Sequence, residues 1–122
     1  MRIAEHWVAT TRDGARLLVP QRARWLWERL RHHLPDAWSL TIMADHLHMV
    51  LPPGAGPRLR KLSSAFTGCF GVRFDVLPVE PANTADIAMR MVRYGLCNPV
   101  RAGLVDDAWA WPRSTRIRSV AS

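Results

Sequence analysis

Hydrophobic and polar residues alternate along four segments of the chain. Because a β-strand turns successive side chains to opposite faces, this period of two predicts strands. The second and third segments are separated only by Ala44 and Asp45, a link short enough for an antiparallel hairpin. The predicted strands cover residues 3–10, 37–43, 46–51 and 72–79.

Three other segments repeat their apolar residues every three or four positions, which is typical of helices with one buried face. The first predicted helix begins at Pro20 and the second follows the breaker PPGAGP. The third opens with Asn83 or Thr84 as N-cap and must stop near Pro99. The first two helices are expected over residues 20–34 and 56–70.

The resulting order is β-α-β-β-α-β followed by one extra helix, which carries Tyr94. This order predicts an α+β, ferredoxin-like fold with an antiparallel sheet, and 122 residues predict a single domain over 1–122. Strand alternation turns His46 and His48 to one face of the third strand. We expect the apolar residues of its other face to pack against the first two helices: Leu47, Met49 and Leu51.

The composition favours a globular, cytoplasmic protein with no membrane partner. Hydrophobic residues make up 48% of the chain, and no apolar run approaches the ~20 residues of a membrane span. The first residues lack the long apolar stretch of a signal peptide. Two cysteines form no disulfide framework, so Cys69 and Cys97 are expected to be reduced and packed.

The chain is strongly basic, with a net charge of +7 that comes almost entirely from arginine. Since the guanidinium fork suits phosphate and base edges, a polyanionic partner is the natural inference, although an arginine-rich genome would give the same composition. Basic residues at the start of the second helix are candidate DNA contacts, although a solvated helix face is the simpler explanation: Arg58, Arg60 and Lys61.

Two segments carry candidate chemistry. His46 and His48 lie one residue apart in HLH, and two imidazoles on one strand face can bind a single divalent metal while leaving it open to substrate. Tyr94 and Asn98 lie four residues apart in RYGLCNP, on one helix face that turns toward the sheet, and they add a nucleophile and a third ligand. Hydrogen-bonded structural histidines, a packed tyrosine and a capping asparagine are the simpler alternative.

Both segments resemble a known family, in the expected order and over nearly the whole chain. MADHLHMVLP is similar to the His-hydrophobic-His segment of small single-tyrosine HUH transposases. VRYGLCNPVRAGLVDDAWAWPRST resembles their Tyr-x-x-x-Asn-Pro-x-Arg-Ala-Gly-Leu-Val stretch, most closely that of the REP-associated tyrosine transposases. The chain departs from the family pattern at Gly95, which costs about 1 kcal/mol of local helix stability.

The resemblance implies a ferredoxin-like fold and metal-dependent cleavage of single-stranded DNA through a covalent 5′-phosphotyrosine. By position, His46 and His48 would hold the metal, Asn98 would complete its ligand set, and Tyr94 would attack. Arg101 would lie beside the site as a phosphate contact.

The sequence therefore predicts a single-strand DNA endonuclease and strand transferase that acts in DNA transposition or in repeat-hairpin processing. We expect Mg²⁺ or Mn²⁺ as cofactor, since amide oxygen and water suit these ions, and no nucleotide cofactor, since the chain has no phosphate-binding glycine loop. The expected partner is single-stranded or hairpin DNA, with a homodimer possible. The alternative is a domesticated, catalytically weak module that binds the same DNA.

Overall fold

The computed structural model describes residues 1–103 and 114–115 as an antiparallel sheet with helices on both faces. The strands are β1 (Ala4–Thr11), β2 (Ser39–Ile42), β3 (His46–Leu51), β4 (Phe74–Ala82) and β5 (Ser114–Thr115). The helices are α1 (Pro20–His33), α2 (Gly56–Phe70), α3 (Ala85–Leu96) and the short α4 (Asn98–Arg101), with a 3-10 turn at Arg12–Gly14.

The strand order is β4-β1-β3-β2-β5, and the first four strands have the order of a ferredoxin-like sheet. The connection from β1 through α1 to β2 passes over β3, which lies between those two strands. The predicted hairpin is present, with Ile42 opposite Leu47 in the ladder. The predicted fold class is therefore confirmed, and α3 is the extra helix that carries Tyr94.

Local sequence signals mark several of the helix ends. Pro20 lies in the first turn of α1, where its missing N–H costs no intrahelical hydrogen bond. Gly71 ends α2 in the left-handed conformation, with φ of 70°. Of the two candidate caps for α3, Thr84 is the one used, and its Oγ1 accepts a hydrogen bond of 3.3 Å from the Ile87 N–H.

The larger core lies between the sheet and the pair α1 and α2. Leu47, Met49 and Leu51 are all buried in it, which confirms the predicted packing face of β3. Apolar side chains from both helices close this core: Leu26, Leu30, Leu59, Leu62 and Phe66.

A second, smaller core lies on the opposite face, under α3. Met91, Val92 and Leu96 of α3 pack there against Val50 and Trp38. His46 and His48 project from β3 toward this same side, so α3 covers the face of the sheet that carries the two imidazoles. At Gly95 the helix comes close enough that an added Cβ would lie 3.7 Å from the Cβ of His48.

Three expectations need correction. α3 ends at Leu96 and Asn98 begins α4, so Tyr94 and Asn98 are not on one continuous helix; Pro99 has no N–H to extend the hydrogen-bond ladder of α3. Cys69 is a free thiol as expected, but it is exposed rather than packed. The last predicted strand lies over Phe74–Ala82, beyond the expected end, because an edge strand tolerates the proline residues within it.

Among the described residues, no helix is long and apolar enough to cross a membrane.

Candidate metal and tyrosine site

The two strand histidines meet at their Nε2 atoms. The Nε2 atom of His46 lies 3.1 Å from the Nε2 atom of His48, and the two rings are nearly perpendicular at 83°. Two nitrogens that each bind one ion at about 2.1 Å are separated by about 3.0 Å when they bind at right angles. The spacing therefore fits a shared divalent ion with octahedral preference.

His46 is oriented by its neighbour in the hairpin. Its Nδ1 lies 2.7 Å from Oδ1 of Asp45, and a carboxylate there can only accept, so Nδ1 carries the hydrogen. The Nε2 atom is then left with its lone pair facing His48. Metal-binding imidazoles commonly donate their other ring N–H to a carboxylate in this way, which fixes the orientation of the ring.

His48 is oriented by a histidine that the sequence analysis did not single out. Nδ1 of His48 lies 3.3 Å from Nε2 of His6 on β1, and His6 is only 4% exposed. The ladder places Val8 opposite His48, so β1 carries His6 on the same face of the sheet as the metal-site candidates. Only this long-range register could have found His6, because EHW contains no motif that marks it.

Burial keeps these imidazoles neutral. Burial, together with the neighbouring groups His46, His6 and Arg101, lowers the pKa of His48 to about 4. Burial also lowers the pKa of His6, although the charge of Glu80 opposes this effect. Neutral imidazoles at pH 7 keep the lone pairs that metal binding requires.

Asn98 completes the group at the start of α4. Its Nδ2 atom lies 3.5 Å from Nε2 of His46, and its Oδ1 accepts a hydrogen bond of 3.3 Å from Arg101. A half turn of the amide about its Cβ–Cγ bond would exchange the two atoms, present Oδ1 to His46 and give up the hydrogen bond from Arg101. The amide is thus within reach of the position that the two imidazoles define.

Tyr94 lies at the rim of the site and is half-exposed, unlike the packed tyrosine of the simpler alternative. Its side chain is 52% exposed, and its ring meets His48 edge-on at 6.2 Å and His6 at 6.1 Å. The guanidinium of Arg101 lies 3.9 Å from the ring centroid, and Arg101 also donates to the Tyr94 carbonyl oxygen. This cation holds the tyrosine from one side and leaves its edge open to a substrate.

A cleft of about 410 Å³ adjoins Tyr94. Residues of β1, β3, β4 and α3 line it: His6, Val8, His48, Val79, Glu80, Ile87, Arg90, Met91 and Tyr94.

The three basic residues predicted to contact DNA from α2 lie on the other side of the sheet. Arg58 donates to both carboxylate oxygens of Asp36, at 2.9 and 3.0 Å, and this hydrogen-bonded pairing raises its pKa. Arg60 extends over the ring of Trp7, and Lys61 is exposed. The structure brings together His46, His48, Tyr94, Asn98 and Arg101, and it does not bring Arg58, Arg60 or Lys61 to them.

The metal-ligand set is small. Among the described residues, no group of three histidine, cysteine or acidic side chains is arranged to hold a metal ion. The candidate set is therefore two imidazoles and an amide, which leaves the remaining positions of a six-coordinate ion to water or substrate oxygen.

No protein-family model matches the sequence, and no curated protein matches it significantly. Among solved structures, the chain is similar to a REP-associated tyrosine transposase bound to a REP hairpin, with a TM-score of 0.70. The two chains are 23% identical, and the likeness covers 99% of this chain and 81% of the other. This likeness shows a shared fold.

Proposed function

We propose that the chain cuts and rejoins single-stranded DNA, next to a hairpin, in a reaction that depends on Mg²⁺ or Mn²⁺. The observation that carries this proposal is the 3.1 Å approach of the His46 and His48 Nε2 atoms beside a half-exposed Tyr94. The shared fold with a transposase that binds a REP hairpin supports DNA as the partner. The net charge of +7 supports it as well.

His46, His48 and the Asn98 amide would hold the ion. When bound, it would act as a Lewis acid that polarises the scissile phosphate. Asp45 holds His46 in the tautomer that leaves its Nε2 free, and His6 would do the same for His48 by accepting a hydrogen from its Nδ1. These two neighbours would thus orient the imidazoles for the ion.

Tyr94 would be the nucleophile. Its phenolic oxygen forms a bond to phosphorus, the bond from phosphorus to the 3′ oxygen breaks, and a 5′-phosphotyrosine and a free 3′ end result. The phenolic proton passes to solvent, to which Tyr94 is 52% exposed, and the leaving 3′ oxygen takes up a proton. Because the new ester keeps the phosphodiester energy, the step can run in reverse and rejoin a strand.

Arg101 would steady both the nucleophile and the substrate. It already contacts the ring and the carbonyl oxygen of Tyr94 and the amide oxygen of Asn98. An exposed guanidinium in this position can bind a phosphate oxygen of the DNA backbone.

A module that binds hairpin or single-stranded DNA without cutting it is the second candidate. It is favoured by the small ligand set, since the described residues offer two imidazoles but no carboxylate or third imidazole for the ion. This module would need neither the ion nor the phenol.

Incubation with hairpin oligonucleotides that carry single-stranded flanks distinguishes the two candidates. The enzyme forms a covalent adduct on a denaturing gel with Mn²⁺ and none with EDTA. If native gels show protein–DNA complexes but denaturing gels show no adduct, over a panel of hairpin and flank sequences, the binding module is the candidate that remains.

A further inference from the structure

The cleft beside Tyr94 has the size and walls of a small-ligand pocket. Its volume of about 410 Å³ is near the lower end of the range of about 300–1,000 Å³ for such pockets. Its apolar lining comes from both the sheet and α3: Val8, Val79, Ile87 and Met91. A flat apolar group can therefore lie between β1 and α3, and a DNA duplex is too large to enter.

The polar groups of the cleft are few and come from different elements. Glu80 lies opposite His6 in the ladder between β1 and β4, so its carboxylate is on the α3 side of the sheet. Arg90 and Tyr94 lie one turn apart on α3 and border the same cleft. Besides the imidazoles of His6 and His48, the cleft thus offers one anionic acceptor, one cation and the nucleophile of the proposed function.

We propose that this cleft receives one unstacked base of a single-stranded DNA, next to the phosphate that Tyr94 attacks, and that Glu80 selects a base with an amino group. This inference rests on the proposed function and adds to it the base preference of the site. His48 and Tyr94 line the cleft, whereas His46, Asn98 and Arg101 do not, so a bound base would lie directly beside the phosphate-activating residues.

The selection follows from hydrogen-bond chemistry. An ionised carboxylate only accepts hydrogen bonds. Cytosine presents an amino group where thymine presents a carbonyl oxygen, and a carboxylate pairs with the first and repels the second. The apolar walls stack on either ring, so the difference between cytosine and thymine depends on Glu80, while Arg90 can neutralise the backbone phosphate beside the base.

The test uses two oligonucleotides and needs no cleavage. One is a fluorescent thymidine 12-mer, and the other is the same strand with a single central cytidine. Affinities are measured by fluorescence anisotropy in EDTA for the wild-type chain, for Glu80→Gln and for Glu28→Gln. Glu28 is exposed on α1 and outside the cleft, so its substitution makes the same change of charge away from it.

We expect the wild-type chain and Glu28→Gln to bind the cytidine strand about fivefold more tightly than the thymidine strand, in line with one base-specific contact. In Glu80→Gln the two affinities become equal, because an amide both donates and accepts. Equal affinities in the wild type, or a preference that survives Glu80→Gln, would overturn the inference. A cytidine preference in a chain that forms no adduct would retain the cleft assignment and reject the proposed cleavage, whereas no binding of either strand would reject both.

Discussion

His6 on β1 lies with its Nε2 atom 3.3 Å from Nδ1 of His48 on β3. Nε2 of His48 faces His46, and it keeps a free lone pair only if Nδ1 carries the hydrogen. The hydrogen is then donated to His6, which must accept it at Nε2. If His6 accepts this hydrogen, it selects the tautomer of His48 that metal binding requires; if His6 donates instead, Nε2 of His48 carries a hydrogen toward His46.

Replacement of His6 should therefore weaken metal binding without removing a ligand. We expect His6→Ala to lower Mn²⁺ affinity about 10- to 100-fold, as loss of a hydrogen-bond partner of a metal ligand commonly does. His6→Gln should recover part of this loss, because the glutamine oxygen can accept the same hydrogen bond. Titration followed by the electron paramagnetic resonance signal of free Mn²⁺ measures both.

His32→Ala is the matched control, because His32 is exposed on α1 and distant in sequence from the site. Circular dichroism establishes that each variant is folded. Unchanged Mn²⁺ affinity in folded His6→Ala would show that His48 does not depend on His6 for its tautomer.

Gly95 offers a test of how α3 covers the site. Gly95→Ala should raise the free energy of unfolding by about 1 kcal/mol, because alanine has the better helix propensity. The added methyl would meet His48 only at 3.7 Å, which is an ordinary contact distance. Thermal unfolding of the metal-free chain measures the change.

Gly68→Ala on α2 is its control, since nothing lies within 4 Å of that added methyl. Both substitutions should stabilise the chain to a similar extent. A loss of stability in Gly95→Ala beside a gain in Gly68→Ala would mean that α3 packs closer to β3 than described.

The two sides of the sheet should differ in their contribution to DNA binding. Arg101 is exposed beside Tyr94, whereas the fork of Arg58 is occupied by Asp36. We expect Arg101→Gln to lower the slope of log affinity against log salt for single-stranded DNA by about 0.7, the value of one phosphate contact. Arg58→Gln should leave the slope unchanged.

A salt titration of both variants provides the measurement. If the slope fell in Arg58→Gln and stayed unchanged in Arg101→Gln, the DNA would bind on the side of the sheet that carries α1 and α2. Such a result would favour the prediction that Arg60 and Lys61 also contact DNA, which a paired substitution of those residues then tests.

Local patterns predicted much of this molecule, because strand alternation and helix periodicity depend on near neighbours. One such case is β3, where His46 and His48 face away from Leu47 and Met49 as predicted. His6 could not be predicted, since its contact with His48 depends on the register between β1 and β3. Nor could periodicity show that α3 ends before Asn98. Tyr94 and Asn98 are four residues apart whether one helix continues through them or a second helix begins at Asn98.

The central claim is that Tyr94 is a nucleophile, and it is the only tyrosine in the chain. The decisive measurement compares wild type and Tyr94→Phe for covalent adducts with a labelled hairpin oligonucleotide in Mn²⁺, with native gels as the control for DNA binding. We expect the wild type to form an adduct that maps to the peptide containing Tyr94, and Tyr94→Phe to bind DNA equally well and form none. Loss of one hydrogen bond alone would cost about 1 kcal/mol of stability and leave the reaction intact. DNA cleavage by Tyr94→Phe at the wild-type rate would contradict the account.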